Sequence, residues 1–179
     1  MNAKSEQVKK LAVMAMFTAI AAVLITLVHF PLFPAAAFLQ YDPADVPILI
    51  VAFAYGPAAG LVVTVLASFI QAFLLGGDGV YGFLMHVIAT GILVLFSSVI
   101  YRKLHTRTGA LVGLVVGTVA MGVGMMITNH FITPFYMMVP TEVVDSMLLP
   151  VILPFNLLKA GINSAITFVV YKVVSRHIV

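Results

Sequence analysis

The sequence predicts an all-α integral membrane protein, a single domain of six transmembrane helices spanning residues 1–179. Three observations carry that expectation. Of 179 residues, 63% are hydrophobic and only 8% charged, whereas soluble domains carry about 25% charged residues. The apolar residues gather into six runs, and charges of opposite sign collect at opposite ends of those runs. With no cysteine, the chain has no disulfide, thiolate metal site or Cys nucleophile.

A short basic segment, residues 1–7, precedes the first run, 8–30. The basic start, the apolar stretch and Ala35-Ala36-Ala37 imitate a secretory signal, but the stretch is too long for a signal core, so it reads as a span. The second run, 45–55, has about 11 residues and rises roughly 16 Å as a helix. That is too little for a hydrocarbon core of about 30 Å. Gly56-Pro57 behind it predicts a sharply turned pair with the third run, 58–75. The fourth, fifth and sixth runs, 81–103, 109–133 and 148–171, are long enough to cross.

Six crossings place both termini on one side. Lys4, Lys9, Lys10, Arg102, Lys103, Arg107, Lys172 and Arg176 then share that side, which the positive-inside rule makes cytoplasmic. Asp42, Asp45, Asp78, Glu142 and Asp145 share the other. The net charge of +3 is therefore a membrane-orientation signal and gives no reason to expect nucleic acid. Tyr41, Tyr81 and Tyr136 are expected at outer headgroups, and Tyr55, Tyr101 and Tyr171 at inner ones, because the ring is apolar and the hydroxyl seeks water.

Lys159 breaks the charge pattern. It lies inside the sixth run, where a central Lys costs roughly 2.5–3.5 kcal/mol even on lenient scales. Asn156 and Asn163, three residues before and four after, share its helix face. A captured ligand is the expected compensation for the buried ammonium. Thr128-Asn129-His130 in the fifth helix approaches from the same outer end, and Gln71 in the third adds a contact. Amides and an ammonium suit a ligand rich in carbonyl oxygens, ring nitrogens and hydroxyls.

Other motifs have plainer readings. Asp42 is expected to cap the second helix, with Pro43 as its first residue and Asp45 in its first turn. An Asp42–Asp45 metal pair is a poorer reading, since two carboxylates make an incomplete magnesium site. The five histidines show no metal spacing. His105 and His177 read as solvated, while His86 and His130 lie within spans where a cavity is in reach. Gly76-Gly77-Asp78-Gly79 reads as a turn or lid, since no P-loop Lys follows it. Gly109, Gly113 and Gly117 form a small-residue stripe that suits internal packing, and Gly122 and Gly124 suit a bend near a ligand. Ala12, Ala15, Ala19 and Ala22 make another stripe, open to internal packing or to docking of a second membrane subunit.

The chain resembles the substrate-binding S components of energy-coupling factor (ECF) vitamin transporters, of the riboflavin type. The resemblance rests on the basic start and alanine stripe, on Tyr41-Asp42-Pro43-Ala44-Asp45-Val46-Pro47 leading to Tyr55-Gly56-Pro57-Ala58-Ala59-Gly60, and on Leu153-Pro154-Phe155-Asn156-Leu157-Leu158-Lys159. It implies a six-helix S component in the bacterial plasma membrane, with both termini cytoplasmic. It implies a vitamin ligand and no resident cofactor, metal or catalytic residue. Its partners would be an ECF transmembrane coupling subunit and two ATP-binding subunits, with Ala15 and Ala19 on the coupling face. Its ligand contacts map onto Asn129, Asn156 and Lys159, with the loop that carries Phe30, Phe38, Leu39 and Tyr41 closing the pocket. His86 departs from the pattern, where riboflavin members are expected to carry Asn, and this leaves a different vitamin or precursor open.

Two rival readings follow from the residues alone. A stand-alone secondary transporter calls for internal repeats, and none is visible. A membrane enzyme calls for an acid cluster, metal set or nucleophile–base pair, and none is visible either.

Overall fold

The computed structural model describes residues 3–178, with the side chains of residues 3, 35 and 175–178 outside the description. The placements expected of the Arg176 and His177 side chains fall among these. Helix α1 runs Ala3–Leu27 and is followed by two short antiparallel strands, β1 (Phe30–Pro31) and β2 (Gln40–Tyr41), with Phe30 opposite Tyr41. Helix α2 spans Asp45–Tyr55, as the sequence predicts, and α3 spans Pro57–Phe69, continuing as a π-helical turn through Leu74. Then come α4 (Gly79–Leu104), α5 (Arg107–Met137), a short α6 (Thr141–Met147) and α7 (Leu153–Ile178), the last two joined by a π-helical turn.

Among the described residues, five helical stretches are long and apolar enough to cross a membrane, and α2 is the short sixth. Several boundaries differ from expectation: α5 runs on to Met137 and α7 to Ile178. Helix α1 begins inside the segment expected to be a separate basic start, and α6 is an additional element before the last span.

Helix α2 is short because it is central. Every residue from Asp45 to Phe53 is buried, and α1, α3, α4 and α7 all pack on it. A helix apolar all round belongs inside a bundle. Its turn into α3 is tight: Gly56 sits at φ 92°, a region that a side chain would strain. Four residues on, a Cβ at Gly60 would lie 2.5 Å from the Ala52 Cβ, so the two helices touch nearly backbone to backbone.

The glycine stripe of α5 packs internally, as expected. A Cβ at Gly113 would lie 2.5 Å from the Ser97 carbonyl oxygen of α4. Gly122 and Gly124 abut Leu157 and Ile92, so they serve close packing. The alanine stripe differs. Ala12, Ala15 and Ala19 are exposed and Ala22 is half-buried, while Met14, Phe17, Ala21 and Ile25 carry α1 into the core. Internal packing therefore does not account for the stripe.

The tyrosine belt is only partly as expected. Tyr81 is exposed, but Tyr41 and Tyr171 are buried. Their hydroxyls donate to Asn163 Oδ1 at 3.0 Å and to Tyr101 at 2.7 Å. A hydroxyl satisfied inside the bundle does not need headgroup water.

Candidate substrate-binding site

Helix α7 brings Asn156, Lys159 and Asn163 onto one buried face, as their spacing predicts. The face is divided between two tasks. Lys159 Nζ donates to Asp42 Oδ2 at 2.7 Å, forming an ion pair in which both side chains are almost wholly buried. Asn163 Nδ2 donates to the Asp42 carbonyl at 3.0 Å and to Asp45 Oδ2 at 2.8 Å. Thr90 of α4 donates to Asp45 Oδ1 at 2.6 Å. The β2–α2 link is thereby bolted to α4 and α7 by a network in which each carboxylate has a donor.

Two expectations are corrected here. Asp42 does not cap α2, whose N-cap is Ala44. Its Oδ1 accepts from the Ala44 N–H at 3.1 Å in a local turn, and its Oδ2 binds Lys159. Asp45 does lie in the first turn of α2, but as a buried acceptor for two other helices. The buried Lys159 ammonium is also compensated by a protein carboxylate, and so does not depend on a ligand for its counter-charge.

The ion pair nevertheless borders a cavity of about 340 Å³, within the ~300–1,000 Å³ of small-molecule sites. It lies at the end of the bundle where α1 and α5 finish and α4 begins, opposite the basic ends. Lys159, Asn156, Asn129, His86, Gln71 and Leu39 all line it. Tyr41 does not line it, and its hydroxyl is already bonded to Asn163. Phe38 is on the wall, while Phe30 packs on Tyr41 with ring centroids 5.3 Å apart. His130 is also absent from the wall, held by Asp145 at 2.6 Å. Gly76, Gly77 and Asp78 do reach the mouth, where Tyr136 donates to Asp78 at 2.8 Å across the opening.

The wall keeps hydrogen-bonding groups that the protein itself does not use. Asn129 Nδ2 donates to Met125 O, and Asn129 Oδ1 accepts from Thr133. Asn156 Nδ2 donates to Ile152 O. Each amide keeps one N–H, and Lys159 keeps two after serving Asp42. On the other wall lie polar atoms without a partner. Three buried side-chain polar atoms lack a partner among the described residues, and two of them, His86 Nε2 and Gln71 Oε1, belong to cavity-lining residues. Buried polar groups are nearly always satisfied, and two of these unpaired atoms belong to residues of the cavity wall.

Fold and site together define a membrane-embedded binding protein: a helical bundle with a polar-walled cavity reached from one end. The family model for the ECF transporter, substrate-specific component, matches residues 9–171. The riboflavin transporter FmnP of Bacillus subtilis (strain 168) is 33% identical over 171 residues, covering 90% of this chain and 89% of that protein. The riboflavin transporter RibU of Staphylococcus aureus (strain TCH60) is 28% identical over 173 residues, covering 93% and 90%. The solved structure of the S component of a bacterial ECF transporter superposes with a TM-score of 0.82 at 29% identity, covering 96% of this chain and 98% of that one. The chain belongs to the family of substrate-specific components of ECF transporters. It is thus a multi-pass membrane transport subunit that binds substrate and associates with an ECF module, and it is not an enzyme.

Proposed function

We propose that the chain captures riboflavin, or a closely related heterocyclic vitamin, from outside the bacterial plasma membrane. Delivery then follows docking on an ECF transmembrane coupling subunit that is driven by two ATP-binding subunits. The observation that carries this reading is the cavity's chemistry. Spare N–H donors of Lys159, Asn156 and Asn129 meet apolar walls from Phe38, Met85, Met121, Met125 and Phe155. A flat heterocycle with carbonyl oxygens and ring nitrogens fits that combination, and the relatives named above are riboflavin transporters.

The basic residues at the end opposite the cavity favour cytoplasmic termini and a cavity opening outward. The exposed Ala12, Ala15 and Ala19, with Ala22 beside them, offer the close-approach face that a membrane partner needs. Without the coupling module the protein binds its vitamin but does not pump it.

Titrating the purified protein with a panel of vitamins, riboflavin included, tests the reading. Riboflavin fluorescence should quench saturably. Asn156→Leu, which removes a spare donor, should weaken affinity about tenfold, equivalent to about 1.4 kcal/mol. Binding of no vitamin in the panel, or an unchanged affinity in that variant, overturns it.

A further inference from the structure

We infer that His86 is a specificity-determining residue: its ring is held in one tautomer by Ser68, so that it presents a hydrogen-bond acceptor and selects ligands that carry a hydroxyl or N–H donor. The inference rests on the cavity being the substrate site.

The tautomer follows from counting protons. Ser68 Oγ lies 2.7 Å from the Thr64 carbonyl oxygen, an acceptor that takes its only proton. The same oxygen lies 2.7 Å from His86 Nδ1. Both contacts are hydrogen bonds at once only when Ser68 donates along α3 and accepts from the ring, so the geometry assigns the N–H to Nδ1. In the neutral imidazole the other nitrogen, Nε2, is then a bare acceptor. Nε2 is the ring atom left without a partner among the described residues. Ser68 is fully buried and absent from the cavity wall, which makes it a positioning residue. Gln71 Oε1, the second orphaned acceptor, comes from the π-helical turn that continues the same helix α3.

The His86 acceptor therefore stands apart from the lysine and asparagine donors of the cavity. Helices α5 and α7 offer the spare donors of Asn129, Asn156 and Lys159. The α3–α4 side offers the acceptor His86 Nε2, beside the Gln71 amide with its unpaired Oε1. The ligand class that satisfies both is a carbonyl-bearing heterocycle with a hydroxylated substituent, its acceptors toward α7 and its hydroxyls toward His86. An unmet buried acceptor penalises an analogue that lacks the donor.

Two measurements test this. Nitrogen-15 NMR of histidine-labelled protein reads the tautomer directly, with the His86 signals identified by their loss in His86→Gln. The expected state is Nδ1–H, shifting toward Nε2–H in Ser68→Ala. In parallel, riboflavin is compared with lumiflavin, the same ring system without the hydroxylated chain. Wild-type protein should prefer riboflavin at least tenfold. The preference should shrink several-fold in His86→Phe, while His86→Gln, which keeps an acceptor, should retain more of it. Tight riboflavin binding with an Nε2–H ring, or with a preference that His86→Phe leaves unchanged, overturns the inference and leaves the functional reading standing. Failure of the wild-type protein to bind any flavin overturns the inference, and failure to bind any vitamin of the panel overturns the functional reading as well.

Discussion

Removing Lys159 should damage the protein chiefly by stranding Asp42. The two charges are 2.7 Å apart, a gross attraction of about 6 kcal/mol at an effective dielectric of ~20. Most of that only offsets desolvation. Losing one partner of a buried pair typically costs about 3–5 kcal/mol, because the other charge remains in the interior. Lys159→Met should therefore destabilise the ligand-free protein by about that much. Adding Asp42→Asn removes the stranded charge. The new amide oxygen can still accept from the Ala44 N–H, and Asn163 can still reach the residue 42 carbonyl, two bonds already present here. The double variant should recover about 2–3 kcal/mol relative to the sum of the single changes, the size of coupling expected for groups in direct contact. Unfolding of the detergent-solubilised protein by SDS, followed through tyrosine circular dichroism, measures the cycle. Additive effects, within about 0.5 kcal/mol, would show that the pair is not the structural bolt described above.

Other perturbations separate the remaining parts of the account. Tyr136→Phe cuts the 2.8 Å bond to Asp78 at the cavity mouth. Bound vitamin should leave about 2- to 10-fold faster in stopped-flow release, in keeping with a net hydrogen-bond value of about 0.5–1.5 kcal/mol. Gly113→Ala drives a methyl against the Ser97 carbonyl. Overpacking of this kind costs about 1–3 kcal/mol, seen as a lowered melting temperature. Ala15→Arg or Ala19→Arg, on the exposed face of α1, should leave vitamin affinity unchanged in isolated protein. Vitamin uptake by proteoliposomes that also contain the coupling module should be abolished by the same change.

Much of this architecture is written in local pattern. Apolar run length and the Gly56-Pro57 break predicted the α2–α3 hairpin because both are backbone properties of a few adjacent residues. Asn129, Asn156 and Lys159 stood out because polar groups in lipid are costly wherever the chain places them. The role of Asp42 was hidden by a competing local signal. Asp-Pro ahead of an apolar run is a good helix start, and nothing nearby reveals a partner 117 residues away. The same holds for Tyr41, since an aromatic residue at a span end looks interfacial until Asn163 is folded against it. Helix α6 escaped because seven residues, among them Thr141, Glu142, Asp145 and Ser146, resemble a polar loop. The orphaned acceptors of His86 and Gln71 are three-dimensional facts. The identity of a side chain cannot tell which of its atoms will be left unpaired.

A crystal structure of the purified protein grown with riboflavin tests the central claim most directly. One flavin per chain is expected in the cavity between α3, α4, α5 and α7. Its ring carbonyls should lie within hydrogen-bonding distance of Lys159 Nζ and Asn156 Nδ2, with the Lys159–Asp42 contact kept. Flavin bound elsewhere, or a filled cavity in which Lys159 and both asparagines leave the ligand untouched, would contradict it.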